Sequence, residues 1–467
     1  MAHITPGLEV AILLLVYMSL ALGIASAAGY AAGVRWLLRL GPPASVALFA
    51  AAAVLTFYEA FTSPDGRVVL HEGALIHDRF TSVIVASAAA AAALGYAASY
   101  RAADLWPTSP GFQAMLPVVL FGVYYLSGSV DPALVIASWL LLSIASYVVI
   151  ALPGDRDSSA AATRYIYVGT VATLLLALWV AGLIGRSTRD PVWPSMVLAA
   201  GLASLGFKVG VFPFHWWLPS VYGRADGRAV AVVAGIAKLA FIALLTRLAI
   251  TLGQAPQVNP LYLQVEPAMV AQVLAIAAVA TMTVGNVAAL TTSSLQAMLA
   301  YSSVAQAGYI LVGLSAAVYL VSAGESPYLA LAGIALQSMA YALAKTALFA
   351  LAGETGGALR GSLRGDPAAA AGVAVLLASL LGIPILVGFW GKLFMFLPAA
   401  SYSPLLVAIA LANSGVSSAY YIRFLREAVS PGEARISGGL RASIIAAAAL
   451  TIAAGLAAPL IAASIGQ

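Results

Sequence analysis

Long apolar runs follow one another along nearly the whole chain and constrain its fold more than any other feature. A helix needs about 20 mostly apolar residues to cross the hydrocarbon core of a bilayer, and the 467-residue sequence contains about fourteen such runs. Strands of a membrane barrel would alternate polar and apolar residues over about 10 positions, and these runs do not. The pattern therefore predicts an all-α integral membrane protein with about 14 transmembrane helices. The predicted spans are Val10–Ala28, Ala44–Phe61, Thr81–Tyr100, Gly111–Leu126, Pro132–Leu152, Tyr165–Ile184, Met196–Tyr222, Ala229–Leu252, Ala268–Leu290, Leu295–Leu314, Tyr328–Gly353, Ala368–Leu397, Pro404–Phe424 and Ile444–Ile465.

Composition excludes most other classes of protein. Hydrophobic residues make up 62% of the chain and charged residues only 8%, against about 25% charged in ordinary globular proteins. The net charge of +5 is spread thinly over the predicted loops, which favours a lipid bilayer and argues against nucleic acid as a partner. Without cysteine, disulfides, thiolate metal sites and cysteine-bound clusters are excluded. The longest loops, around Thr62–Arg79 and Leu425–Ser443, are too short for a soluble domain, so we expect no cofactor in this chain.

The basic residues of the predicted loops indicate the orientation of the chain. Cytoplasmic loops of membrane proteins carry an excess of Lys and Arg. If the N-terminus lies outside, thirteen arginines fall in inner loops and five in outer loops or at outer helix ends. The outer five are Arg67, Arg79, Arg186, Arg189 and Arg247. We therefore predict a multi-pass protein of the cell membrane with both termini outside.

The distribution of lysine is the most informative feature for function. The chain has only four lysines, all inside predicted spans, whereas its eighteen arginines lie in loops or near helix ends. Arginine stays protonated in essentially any protein site, but lysine can bind and release a proton once it is desolvated. A charge near the middle of a bilayer costs about 3 kcal/mol or more, so this segregation favours proton transfer over snorkelling to the headgroups. The four are Lys208, Lys238, Lys345 and Lys392.

Two predicted spans combine a lysine with a helix-breaking proline. Pro213 follows Lys208 in the seventh span, and Pro384 precedes Lys392 in the twelfth. Proline removes a backbone donor and clashes with the carbonyl four residues earlier, and the freed polar groups must be covered by protein or line a wet cavity. His215, the only histidine within a predicted span, lies beside Pro213. Paired interruptions in two halves of a chain are typical of inverted-repeat transporters.

Several motifs carry a resemblance to a known family. They resemble the sixth-, seventh-, tenth- and twelfth-helix regions of the antiporter-like membrane subunits of respiratory complex I. This family is related to multi-subunit cation/proton antiporters and to membrane-bound hydrogenases. Within it, the sixth-helix motif makes the chain most similar to the subunit N type of NADH-quinone oxidoreductases. The motifs are Arg164–Val171 (RYIYVGTV), Lys208–Pro219 (KVGVFPFHWWLP), Gly285–Asn286, Leu299–Tyr309 (LAYSSVAQAGY) and Leu381–Lys392 (LGIPILVGFWGK).

The resemblance implies an architecture. Members of the family have fourteen helices, with both termini outside, in a single polytopic membrane domain that would here span residues 1–467. Two inverted five-helix repeats form half-channels, which correspond to about 111–252 and 268–424 in this sequence. Helices 7 and 12 are broken. We expect the same arrangement in this chain.

The resemblance also implies roles for individual residues. Lys208 matches the lysine of the first half-channel, Lys238 the connecting lysine and Lys392 the residue at the exit. Lys345 and His215 add further titratable groups. The implied function is a proton-translocating, non-redox subunit of a translocase, with protons moving along lysines and water. Other antiporter-like subunits and small membrane subunits are the expected partners, and the quinone and redox centres are expected in partner subunits.

Three positions depart from the family pattern, and a fourth, Tyr341, favours the subunit N type. Leu140 stands at the fifth-helix glutamate, Ser220 at an aspartate and Gln306 at the tenth-helix histidine. Tyr341 stands where antiporter-type relatives carry histidine. Three functions remain open: a subunit of an oxidoreductase that passes electrons from NADH or another donor to quinone, a cation/proton antiporter or membrane-bound hydrogenase subunit, or a structural subunit impaired in transport. The lysines favour the first and Leu140 favours the last.

Overall fold

Helices make up nearly all of the structure, as the apolar runs predict. The computed structural model describes residues 6–63, 65–99, 109–184, 192–253, 266–356, 359–432 and 434–466. A π-helical turn, Val233–Ala237, joins α9 to α10. The helices are α1 (Pro6–Ala31), α2 (Arg35–Thr62), α3 (Arg79–Ser99), α4 (Ser109–Gly128), α5 (Pro132–Ala151), α6 (Arg156–Ile184), α7 (Val192–Val209), α8 (Trp217–Tyr222), α9 (Gly227–Val232), α10 (Lys238–Gly253), α11 (Pro267–Thr291), α12 (Leu295–Ser322), α13 (Tyr328–Glu354), α14 (Pro367–Leu381), α15 (Val387–Tyr402), α16 (Pro404–Val429) and α17 (Gly438–Ile465).

Most of these helices have the length and hydropathy of a membrane span. Within the described residues there are eleven such spans, when α9, the π turn and α10 are counted as one. Within the described residues, three shorter apolar helices lie between the long spans along the chain. They are Ala114–Gly128, Ser195–Val209 and Pro367–Leu381. The last two of these are each followed by a few residues of non-helical backbone and then by a further helix. The fold is therefore that of a multi-pass helical membrane protein.

The distribution of apolar residues fits a protein surrounded by lipid. Large side chains such as Leu405 on α16 and Leu460 on α17 are exposed, whereas α10, α12 and α13 are buried on almost every side. A helix that is apolar all round belongs in the interior of a bundle or a membrane. These three helices therefore form the centre of the protein, and Lys238 and Lys345 lie within it.

Small residues allow the central helices to approach closely. A Cβ atom at Gly285 on α11 would lie 2.5 Å from the backbone nitrogen of Ala305 on α12. One at Gly308 would lie equally close, at 2.5 Å, to the backbone nitrogen of Met282. No side chain fits at either position, so the two backbones pack against each other as in other membrane bundles. This close contact fixes which face of α12 packs against α11. The polar residues of α12 are part of the candidate functional site.

A β-hairpin occupies the connection around Thr62–Arg79, where the sequence predicts only a loop. Strands β1 (Arg67–Leu70) and β2 (Leu75–Asp78) pair in antiparallel fashion, and a short 3₁₀ turn, His71–Gly73, joins them. Each strand has four residues, which is too short for a clear alternation of polar and apolar positions. The sequence pattern therefore gives no signal for the hairpin.

The hairpin is fastened to the helices through His77 and Arg247. His77 is fully buried, and its ring centroid lies 4.4 Å from that of Tyr124 on α4. Arg247 on α10 donates to the carbonyl oxygens of Ile76 (2.5 Å) and Gly128 (3.2 Å). Burial, with a smaller contribution from the charge of Arg247, lowers the pKa of His77 to about 3. The imidazole is therefore neutral at physiological pH.

One arginine ties the last described helix to the start of α3. The Nε of Arg79 donates to the carbonyl oxygen of Ala60 in the last turn of α2 (3.0 Å), and Nη1 donates to that of Ser464 in the last turn of α17 (2.6 Å). Carbonyl groups in the last turn of a helix have no partner within it and attract cations. A single guanidinium group therefore holds three helix ends together.

Candidate functional site

The first broken helix consists of α7 and α8. Gly210, with a φ of +81°, ends α7, and helical backbone resumes only at Trp217. Pro213 lies in the middle of this stretch, where it cannot supply the N–H that a continuous helix requires. The indole nitrogen of Trp217 donates to the carbonyl oxygen of Phe207 (2.8 Å) and so bridges the two segments. The break therefore leaves polar backbone directly after Lys208.

The second broken helix consists of α14 and α15. Gly382, with a φ of +94°, ends α14, and its amide donates to the carbonyl oxygen of Ala378 (3.0 Å). Pro384 follows in non-helical backbone, and the amide of Gly388 in α15 donates to the hydroxyl of Ser379 (3.2 Å). Each break thus begins with a glycine in the left-handed region, as helix ends commonly do, and contains a proline.

Lys208 is buried in the last turn of α7, within a pocket of aromatic rings. Its one hydrogen bond to the described residues is donated to the hydroxyl of Tyr147 (3.0 Å). A ring near an ammonium group contributes about 0.5 to 2 kcal/mol of cation–π attraction. The ring centroids of Trp139, Tyr147, Tyr165 and Phe241 lie 5.4, 4.9, 5.3 and 5.1 Å from its nitrogen.

Lys392 is buried on α15 beside the second break. Its ammonium group donates to the carbonyl oxygen of Leu381 (2.9 Å) and to the hydroxyl of Ser414 on α16 (2.7 Å). The nitrogen also lies 4.3 Å from the ring centroid of Tyr309. Because Leu381 is the last residue of α14, its carbonyl has no partner within that helix. Lys392 therefore satisfies backbone that the break exposes.

Lys238 and Lys345 converge on one turn of α12. Lys238 donates to the carbonyl oxygen of Ser303 (3.0 Å). Lys345 donates to the carbonyl oxygen of Leu299 (2.8 Å) and to the hydroxyl of Ser302 (2.8 Å). Both lysines are buried. Two amines from different helices, α10 and α13, thus bind carbonyl oxygens that lie one turn apart on α12.

Hydrogen-bonded side chains extend from these middle lysines to the second break. The hydroxyls of Ser302 and Tyr421 share a hydrogen bond (2.7 Å). The amide nitrogen of Gln306 donates to the hydroxyl of Tyr421 (3.3 Å) and to the carbonyl oxygen of Leu380 (3.1 Å). Leu380 directly precedes the carbonyl that binds Lys392. Three of the four lysines therefore lie along one polar path.

Several members of this path have no clear signal in the sequence. Ser302, Tyr421 and Ser414 are absent from the predicted candidates, and Gln306 enters only as a departure from the family pattern. A polar residue within an apolar span is the available signal, but it is ambiguous. Ser338, for example, donates to the carbonyl oxygen four residues earlier (2.7 Å) and has no connection to the lysines.

The remaining candidates lie beside the path. His215 is half-buried in the first break, where its ring stacks on that of Phe212 with centroids 5.6 Å apart. Ser220 donates within α8 to the carbonyl oxygen of Trp217 (2.7 Å). The ring of Tyr341 lies 5.2 Å from the nitrogen of Lys238. Leu140, at the position of the family glutamate, faces the outer surface of α5.

Carboxylates do not accompany the lysines in the part of the chain that the structure describes. The ion pairs found there are all formed by arginine: Arg228–Asp226, Arg247–Asp78 and Arg441–Asp366. The same described residues contain no group of three or more His, Asp or Glu side chains that could hold a metal ion. The site therefore consists of amines, hydroxyls, amides and carbonyl oxygens.

The fold and the site define a multi-pass helical membrane protein with buried amines at two broken helices. Residues 130–417 match the family described as NADH:quinone oxidoreductase/Mrp antiporter, transmembrane. NADH-quinone oxidoreductase subunit N 2 of Symbiobacterium thermophilum is 31% identical over 425 residues, which cover 81% of this chain and 80% of that protein. The chain belongs to this family of antiporter-like membrane subunits, and within it resembles subunit N.

Solved structures share the fold over almost the whole chain. A chain of respiratory complex I from Thermus thermophilus is 25% identical, with a TM-score of 0.73 and coverage of 96% of this chain and 99% of that one. A chain of the membrane-bound sulfane sulfur reductase, an archaeal respiratory membrane complex, gives a TM-score of 0.83 at 19% identity and covers 98% of this chain and 96% of that one. At that identity, the second comparison concerns the fold alone.

Proposed function

We propose that this protein is a proton-translocating membrane subunit of a redox-driven oxidoreductase of the NADH-quinone type. The observation that carries the proposal is the set of four buried lysines, three of which are joined through α12 and the second break. Lysine can release and regain a proton, and hydroxyl and amide groups between lysines can relay protons together with internal water. The named relative is itself a subunit of an NADH-quinone oxidoreductase.

The proposed path assigns one step to each lysine. Lys208 at the first break takes up a proton, with His215 as a further titratable group in the same break. Lys238 and Lys345 pass the proton along α12. Lys392 releases it at the second break. The driving force comes from redox chemistry in partner subunits, which hold the quinone and the redox centres. Other antiporter-like subunits and small membrane subunits lie beside this one in the membrane.

The proposed topology has fourteen membrane crossings. The eleven long spans and three shorter apolar helices support this number when α7 with α8 and α14 with α15 each form one crossing. Residues 111–252 and 268–424 would then form two inverted five-helix repeats, each with one broken helix, within a single membrane domain. An even number of crossings places both termini on one side, and the excess of arginine in alternate loops favours the outside.

Proton uptake by vesicles that contain the intact complex tests the proposal. We expect Lys392→Met to lower the number of protons moved per electron, with the subunit still assembled in the complex. Lys392→Arg keeps the positive charge but cannot release a proton, so it should also fail. Normal translocation by Lys392→Arg would show that the lysine serves only as a charge and would overturn the proposal.

A structural subunit without transport is the second candidate. Leu140 and the absence of a carboxylate near Lys208 among the described residues favour it. In that case, substitutions of all four lysines would leave the translocation of the complex unchanged. An antiporter subunit is distinguished by a different measurement, because an imposed sodium gradient would then move protons without any electron donor.

A further inference from the structure

A groove in the outer wall of the bundle leads toward the Lys208 pocket. It lies between α5 and α6, has a volume of about 270 Å³ and opens between Leu140, Ile144 and Leu174. These three side chains are 39%, 57% and 66% exposed, and they lie near the middle of their helices. The mouth of the groove is therefore at the depth of the lipid chains, far from the headgroups.

The inner wall of the groove carries hydroxyl groups. Ser143, Tyr147, Thr170 and Thr173 line it. Both threonine hydroxyls donate to carbonyl oxygens of their own helix, at 2.9 and 2.8 Å. The hydroxyl oxygen of Tyr147 instead accepts a hydrogen bond from Lys208 (3.0 Å), so its own O–H can donate to an acceptor in the groove. Tyr147 thus connects the lysine to the outer surface.

Gly169 on α6 positions this tyrosine. A Cβ atom at Gly169 would overlap the hydroxyl oxygen of Tyr147 and contact its ring. The glycine therefore leaves the space that the hydroxyl occupies. Any larger residue would displace the hydroxyl from Lys208 or force the two helices apart.

Among the described residues, the pocket has no carboxylate or imidazole that could take the proton of Lys208 outward. The aromatic rings attract a cation, but they do not accept a proton, and a lipid chain in the groove offers no acceptor either. A buried charge without an opposite charge nearby is strongly unfavourable. Among the described residues, no carboxylate forms an ion pair with Lys208.

We propose that the groove receives an Asp or Glu side chain from a neighbouring membrane subunit, and that this carboxylate completes the Lys208 site. The inference rests on the proposed function. The carboxylate accepts the O–H of Tyr147 while Tyr147 accepts the N–H of Lys208. When the carboxylate takes the tyrosine proton and the tyrosine takes the lysine proton, a neutral carboxylic acid and a neutral amine result, and the tyrosine is unchanged. Leu140 lies at the mouth, where a side chain from outside would enter.

Photo-cross-linking in the intact complex identifies the neighbour. A benzophenone amino acid at position 140, and in a second variant at position 144, should capture one transmembrane segment of a partner subunit. That segment should carry Asp or Glu within about one helical turn (3.6 residues) of the captured residue. The same probe in place of Leu178, which is 38% exposed on α6 outside the groove, is the matched control and should not capture that acidic turn. Capture of lipid alone, or of a segment without an acid, would overturn the inference.

Exchange of the identified acid for its amide tests the role of the carboxylate. The amide variant should lower proton translocation as much as Lys208→Met does, and Leu140→Glu in this chain should relieve the loss. If Lys208→Met has no effect, the proposed role of Lys208 in translocation is wrong. If Lys208→Met lowers translocation and the amide variant does not, only the inference about the partner's carboxylate is wrong.

Discussion

The two broken helices hold their lysines in different chemical surroundings. Lys392 binds oxygen atoms of its own chain, the carbonyl of Leu381 and the hydroxyl of Ser414. Lys208 is surrounded by four aromatic rings and binds one oxygen, the hydroxyl of Tyr147. Oxygen acceptors bind both an ammonium group and a neutral amine, whereas rings favour the cation. Two broken helices that each combine a proline with a lysine therefore form two sites with different chemistry.

The difference extends to what each lysine connects with. Lys392 donates to the carbonyl oxygen of Leu381, and the preceding carbonyl, that of Leu380, accepts a hydrogen bond from Gln306. Gln306 donates in turn to the hydroxyl of Tyr421. Lys208 donates to the hydroxyl of Tyr147, and Tyr147 lines a groove on the outer surface of the bundle. The lysine at the second break thus has its partners within this chain, whereas the inferred acceptor for the proton of Lys208 comes from a neighbouring subunit. This asymmetry leads to four tests.

The largest expected effect comes from replacing each lysine by alanine. Lys392→Ala removes the end of a continuous path, so we expect proton translocation to fall on the order of a hundredfold, as when a positioned proton-transfer group is lost. Lys208→Ala should reduce translocation less, because among the described residues no hydrogen bond joins Lys208 to the path through α12, and internal water can deliver part of the proton flux in its place. Proton uptake per electron by reconstituted vesicles measures both. Equal and complete loss from the two variants would contradict the asymmetry.

The next effect concerns the link between the middle lysines and Lys392. Tyr421→Phe removes the hydroxyl shared by Ser302 and Gln306, so translocation should fall about tenfold, less than on loss of a lysine, because internal water replaces part of the link. Tyr420→Phe is the matched control, since the hydroxyl of Tyr420 donates to Asn286 (2.9 Å). Its translocation should stay near the wild-type rate. A similar loss in both variants would show a general packing effect.

Gly169→Ala tests the first half through stability. The added methyl group overlaps the hydroxyl of Tyr147, and forced overpacking typically costs about 1 to 3 kcal/mol. Gly415→Ala on α16 places the same methyl group in open space and should leave stability unchanged or slightly higher. Thermal unfolding in detergent compares the two. Equal midpoints would show that the tyrosine has another position available.

The smallest effect concerns the hairpin that closes one end of the first half. Below pH 6.5 the unfolded chain binds a proton at His77, but the folded protein does not until about pH 3. Stability should therefore fall as pH drops through this window, by about 1.4 kcal/mol per pH unit at most. His77→Gln should remove this part of the pH dependence, whereas His71→Gln in the turn should keep it. Unfolding at pH 7 and pH 5.5 measures the change, and identical slopes in all three proteins would contradict it.

Sequence reasoning is most successful where a residue is unusual for its surroundings. A lysine in a run of leucine and alanine is conspicuous, because burying an amine in a membrane span is unfavourable and such residues usually mark functional sites. A proline in the same run is equally conspicuous, since it prevents a continuous helix. Lys208, Lys392 and the two breaks could therefore be found from local sequence alone.

Tertiary partners could not be found in this way. Tyr421 and Ser302 are 119 positions apart, and a serine or tyrosine within a span is too common to indicate contact. The aromatic pocket of Lys208 draws its rings from three different helices, α5, α6 and α10, so no local pattern reports it. The groove at Leu140 depends on Gly169 of the adjacent helix. Such features depend on which helices become neighbours, and hydropathy does not encode that choice.

Arg79 has a consequence for how the protein is made. Its guanidinium group joins α3, an early product of synthesis, to the carbonyl of Ser464, which lies 385 residues later. During translation the arginine is already present at the start of α3 while most of the chain is still to be synthesised. The acceptor in α17 arrives only with the last described helix. Ribosome-bound intermediates that lack α17 should therefore leave this end of the bundle open to proteases, and formation of the Arg79–Ser464 hydrogen bond would report that α17 has inserted.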